Sequence, residues 1–145
     1  MALARSSVTF LALALLAGCA TAPASGPPVA AGPFAQPVRL AGTQWRVVAI
    51  NDRAAPSNGD YSVGFEGNRV RARFGCNHFS GDYRIQSGQL IIPMLAGTRM
   101  ACIGPVGAME GMGTAVMRAP MAMGWSGPDQ LTLTNAGGTI VLVRS

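Results

Sequence analysis

Four side chains able to do chemistry crowd into Arg73–Tyr83, RFGCNHFSGDY: Cys76, His78, Ser80 and Asp82. His78 is the only histidine in the chain. On a strand, residues 78, 80 and 82 face one way, giving the composition of a hydrolytic triad. Spacing argues against one. Alternate residues on a strand lie about 6.5–7 Å apart, whereas a nucleophile and its base need about 2.6–3.2 Å between heavy atoms. No catalytic residue is assigned.

Metal chemistry fares little better. Cys76-x-His78 with the distant Cys102 offers zinc three ligands, but the paired Cys-x-x-Cys or His-x₃-His spacings and a fourth ligand are missing. Met109, Met112, Met117, Met121 and Met123 form a second set. Thioethers favour Cu(I), and Met121 and Met123 would share one strand face. Methionine beside a core is more often a gap-filling hydrophobe. Neither a metal nor a cofactor is expected, and a methionine-rich copper site is the least favoured alternative.

The remaining role for the cysteines depends on where the chain resides. It opens MALARSSVTFLALALLAGCA: Arg5 in a short polar region, an apolar run from Val8 to Ala17, then small residues up to Cys19. That layout reads as a secretory signal peptide over residues 1–18, too short to span a bilayer as a permanent helix. Leu16-Ala17-Gly18-Cys19 has the form of a bacterial lipobox, which implies cleavage before Cys19 and acylation of that residue. Several acyl chains on one residue anchor stably where one is marginal. Ala20 follows, without the aspartate that retains lipoproteins in the inner membrane of many enteric-type bacteria. The expected location is the periplasmic face of the outer membrane, held by the lipid.

Residues 19–39 carry this lipidated cysteine and an Ala/Pro/Gly-rich tether (Thr21–Val38, TAPASGPPVAAGPFAQPV) with no charge and no hydrophobic period, hence a flexible spacer. Residues 40–145 suit one small domain. Once Cys19 is lipidated, three cysteines become one pair, Cys76 and Cys102, in an oxidising compartment. A disulfide between them would close a loop of about 27 residues and stabilise by about 3–4 kcal/mol. All eleven basic residues are arginine, and the formal net charge is +5. Arg69, Arg71 and Arg73 alternate, as on a solvated strand face. Nucleic acid is not an expected partner; the membrane is, through the anchor, and an envelope protein is the other candidate.

Short alternating segments broken by Gly, Asn, Asp and Ser position these residues. Gln44–Ile50 reads as a strand. Tyr61–Gly67 and Arg69–Gly75 form a hairpin around Gly67-Asn68, and Gly81–Gln86 with Gln89–Met94 another around Ser87-Gly88. Gln130–Thr134 and Thr139–Arg144 close the domain. Pro105–Pro120 places Val106, Met109, Met112, Val116 and Met117 near helical spacing, with Pro120 ending the helix. The fold class is mainly β: a small antiparallel barrel-like or strongly curved sheet with one short helix.

Two phrases, GCNHFSGDY and TRMAC, together with the upstream GTQWRVVAIND, resemble the META domain family, which includes the HslJ-like heat-shock lipoproteins. The matching positions are Trp45; Gly75, Cys76, Asn77, Gly81 and Tyr83; Thr98, Met100, Ala101 and Cys102; and Glu110 on the helix. The resemblance covers about residues 40–145 and implies a small barrel-like sheet with one helix, with no established catalytic residues to carry over. It implies envelope lipoproteins linked to heat stress, novobiocin tolerance and, in distant eukaryotic relatives, virulence. The functional expectation is a non-enzymatic lipoprotein supporting envelope integrity. The alternative is a ligand- or protein-binding module, such as an inhibitor of an envelope-attacking hydrolase. After the glutamate, where family members tend to carry large hydrophobes, this chain has Gly111, Met112 and Gly113, which predicts a looser helix or a poorly packed sheet end.

Overall fold

The computed structural model describes residues 39–58 and 60–145. The expected signal peptide, Cys19 and the tether up to residue 38 lie outside the described residues.

Among the described residues, eleven strands and one helix follow in order: β1 Thr43–Ile50, β2 Arg53–Ala54, β3 Tyr61–Glu66, β4 Arg69–Phe74, β5 His78–Asp82, β6 Arg84–Gln86, β7 Gln89–Ile91, β8 Ala96–Gly97, α1 Gly104–Met117, β9 Met121–Trp125, β10 Gln130–Asn135 and β11 Gly138–Arg144. They form one antiparallel sheet in the order β6-β7-β9-β10-β11-β1-β3-β4-β5-β8, with β2 beside β1. The sheet is a strongly curved, open half-barrel, mainly β as expected.

Period-two patterning decides which face is buried. In β4, Val70, Ala72 and Phe74 point into the core while Arg69 and Arg71 are exposed and Arg73 is half-buried. Leu131 and Leu133 of β10 and Ile140 and Leu142 of β11 meet them from the other wall. Both hairpins expected around Gly67-Asn68 and Ser87-Gly88 form, pairing Glu66 with Arg69 and Gln86 with Gln89. A register shift between Val47 and Ala49 in β1 leaves Val48 as a bulge, a device that bends a strand.

The segment expected as one strand, Gly81–Gln86, divides at Tyr83. Its first part pairs with β4 and its second with β7, so one bent stretch of chain spans the two ends of the sheet order. The strand expected over Gln89–Met94 stops at Ile91. The short strands β2 and β8 carry too little alternation to be legible in advance.

Helix α1 runs from Gly104, with Pro105 in its first turn, and ends at Met117 rather than at Pro120. Its end is set by capping from another strand: the Asn135 Nδ2 donates to Val116 O at 2.7 Å and Ala119 O at 3.3 Å. Met109, Gly113, Val116 and Met117 form its buried face. The anticipated looseness around Gly111–Gly113 is not what the packing shows. Gly113 lies against the Phe74 ring, and a Cβ there would sit 2.6 Å from Phe74 Cγ. The missing side chain lets helix and sheet approach, while Gly111 faces open space.

Candidate functional site

The turn between β4 and β5 brings the two sequence phrases together. Gly75, Cys76 and Asn77 make the turn, anchored by Gly75 N–H donating to Asp60 O at 2.9 Å. Residues 98–102 lead from β8 to the helix, and Glu110 projects from the helix's second turn. Asn77 is the hub. Its backbone N–H donates to Glu110 Oε2 at 2.8 Å, and Nδ2 donates to Glu110 Oε1 at 2.7 Å and lies 3.1 Å from Met100 O and 3.2 Å from Cys102 Sγ. Oδ1 accepts from Thr98 Oγ1 at 2.7 Å and from Met100 N–H at 2.8 Å.

An amide buried to 3% exposure therefore meets partners on both its oxygen and its nitrogen. Such a network specifies one arrangement, because an unsatisfied buried member is costly. Asn77 orders the loop at residues 98–102 and the helix in one stroke. Cys76 and Cys102 stand at disulfide distance in the same corner, with Cα atoms 6.3 Å apart, inside the usual range of about 4.4–6.8 Å.

Residues 38–145 match the META domain family. The chain belongs to that family. Among solved structures, an NMR structure of a protein from Burkholderia xenovorans is 28% identical, covering 73% of this chain and 83% of that one with a TM-score of 0.61. A second protein solved by NMR, 22% identical, shares the fold with a TM-score of 0.63 over 72% of this chain and 90% of its own. A comparison with curated proteins gives no match.

The remaining motif positions of this META domain are spread through the fold. Met100 contributes its backbone, and its side chain is 53% exposed; Ala101 is exposed beside it. Trp45 is buried against Trp125, ring centroids 5.8 Å apart, and its Nε1 donates to Thr43 Oγ1 at 2.6 Å. Tyr83 stacks edge-on against Phe65 and donates from its hydroxyl to Gly67 O at 2.9 Å. At Gly81 the Met94 backbone crosses so closely that any Cβ would collide with Met94 O.

The side chains weighed for catalysis and metal binding take the following places. His78 is exposed on the outer face, paired across the ladder with Arg73, and is not part of the cysteine cluster; Glu110 is. Ser80 and Asp82 share that outer face but pair with Arg71 and Arg69. The five methionines considered for copper are core material: Met117 and Met121 are fully buried, Met109 nearly so, and Met112 and Met123 pack against the core.

The three arginines of β4 lie on the outer face, each beside an acid: Arg69 with Asp82 at 3.8 Å, Arg71 with Glu66 at 3.2 Å and Arg73 with Asp60 at 2.9 Å. Pairs as exposed as the first two contribute at most about 1 kcal/mol each, so they neutralise the face more than they stabilise it. A shallow cleft of about 570 Å³ crosses it, lined by Gln44, Arg71, Arg73, His78 and Ser80 among others. The sequence contained no signal for this cleft, because its lining comes from residues far apart in the chain, from Gln44 to Thr98.

Close to the corner, Tyr61 is buried to 3% exposure. Its hydroxyl pKa is raised above the usual value of 10.0 by that burial first, and then by the charges of Asp60 and Glu110.

Proposed function

We propose that the protein is a non-enzymatic lipoprotein of the bacterial envelope, anchored through Cys19 on the periplasmic face of the outer membrane and supporting envelope integrity under heat or antibiotic stress. The observation that supports this is the fate of the motif polar groups. The Asn77 amide, the Thr98 hydroxyl and the Glu110 carboxylate are spent on one another, tying strand, loop and helix into a corner. A bridge between Cys76 and Cys102 would brace the same corner in an oxidising compartment.

Intact mass spectrometry of the protein extracted from membranes tests the anchor and the bridge together. The mass should carry acyl chains at Cys19, and Cys76 and Cys102 should alkylate only after reduction. An unacylated Cys19 would remove the anchor from this reading. Normal novobiocin and heat tolerance after gene deletion would remove the physiological role.

A second reading is a binding module for a ligand or an envelope protein. It is favoured by the outer-face cleft and by Met100, Ile103 and Val106, which are apolar and exposed near the corner; Ile103 is 87% exposed. Substituting Ile103 by Glu should abolish capture of such a partner and leave the fold intact.

A further inference from the structure

Cys76, Cys102 and Glu110 each bring one ligand atom to within 4.8 Å of the other two. The three come from the β4–β5 turn, the loop before the helix, and the helix itself. Two sulfurs and a carboxylate, with a water in the fourth position, are a donor set that suits tetrahedral zinc. While the sulfurs are bridged the set is closed to metal. Zn–S bonds of about 2.3 Å in tetrahedral geometry hold two thiolates about 3.8 Å apart, so the bridge must open first.

Two features equip the corner for the open state. The Asn77 backbone N–H and Nδ2 fix the Glu110 carboxylate, with Oε2 lying 3.5 Å from Cys102 Sγ. Donors behind a ligating carboxylate orient it for metal. Asn77 Nδ2 also lies 3.2 Å from Cys102 Sγ, and a donor facing a sulfur favours its thiolate form. The 98–103 loop that carries Cys102 keeps the Met100, Ala101 and Ile103 side chains exposed, so the corner is open to an incoming ion on that side.

We propose that, once reduced, Cys76 Sγ, Cys102 Sγ and a Glu110 carboxylate oxygen bind one zinc ion, making the corner a redox-gated metal site. The inference concerns the reduced protein and does not depend on the envelope role. Thiol–disulfide exchange with a dithiol opens the bridge: the protein disulfide gains two electrons and two protons to give two thiols, and the dithiol leaves as its own disulfide. Zinc then displaces the two thiol protons.

The test uses the full chain carrying Cys19→Ala, so that Cys76 and Cys102 are its only thiols, in detergent, reduced with a phosphine that is then removed. Competition against a chromogenic zinc chelator should show one zinc per reduced chain and none per oxidised chain. Cobalt substitution should give a thiolate-to-metal charge-transfer band. Glu110→Gln should weaken zinc at least about ten-fold with the far-ultraviolet dichroism of the sheet retained. Should Glu110→Gln fail to fold, the dichroism of the reduced chain itself must stay native through the zinc titration. Zinc uptake no greater than that of the Cys76→Ser/Cys102→Ser variant overturns the proposal. So does uptake that a folded Glu110→Gln matches, or uptake only by an unfolded reduced chain.

Discussion

Asn77 and Glu110, on separate elements, are joined by two hydrogen bonds, at 2.8 Å from the Asn77 backbone and 2.7 Å from its side chain. The pair couples the β4–β5 turn to the helix. Asn77→Ala leaves the Thr98 hydroxyl and the Met100 N–H without their acceptor, and should cost about 3 kcal/mol. Urea denaturation should show a lower midpoint with an unchanged slope. Asn77→Asp replaces the Nδ2 donor with a second carboxylate facing Glu110 and should be at least as destabilising as Asn77→Ala. A neutral-pH midpoint equal to that of the wild type for both variants would show that the hub is dispensable.

Two of the helix glycines, Gly111 and Gly113, should behave in opposite ways. Gly111 faces open space, and Gly111→Ala should stabilise by up to about 1 kcal/mol through helix propensity. Gly113→Ala gains the same propensity but drives a methyl group into the Phe74 ring, with a net cost of about 1–3 kcal/mol. Thermal unfolding of the two variants ranks them; the reverse order would mean that the helix does not sit on Phe74.

A bridge between Cys76 and Cys102, 26 residues apart, should make the oxidised protein more stable than the reduced one by about 3–4 kcal/mol. Paired denaturation curves with and without reductant measure this. Superimposable curves would leave the cysteines unbridged.

Alkaline pH should loosen the fold. The Tyr61 pKa is raised above 10.0 by burial, with Asp60 and Glu110 adding to it, and that of Tyr83 by burial. The folded state then keeps protons that the unfolded chain releases, so this stabilisation is complete below about pH 10 and is lost as pH rises through the folded values. Absorbance at 295 nm should place both phenol titrations above pH 10, and Tyr61→Phe should flatten the alkaline fall in stability. A Tyr61 titration at or below pH 10 contradicts its burial.

Much of this architecture was legible in the sequence because local physics fixes it. Alternation in RVRARF, QLTLT and TIVLVR dictates strands with one buried face, and Gly67-Asn68 and Ser87-Gly88 place two hairpins. The apolar spacing of Val106, Met109, Val116 and Met117 placed a helix in the right segment. The resemblance carried by GCNH and TRMAC pointed to the right family and to the positions that make the corner.

Tertiary structure alone decided what those positions do. Nothing local indicates that Glu110 lies beside Cys102, that Met100 works through its backbone, or that Tyr83 is where one strand divides between two partners. The helix ends at Met117 because Asn135, distant in sequence, reaches its carbonyls. Gly113 reads as a helix weakness in the sequence and becomes a packing requirement against Phe74. The physical reason is common to all of these. Periodicity and turn chemistry act over a few residues, whereas hydrogen-bond partners and close approaches are chosen by segments that meet only once the sheet has curved.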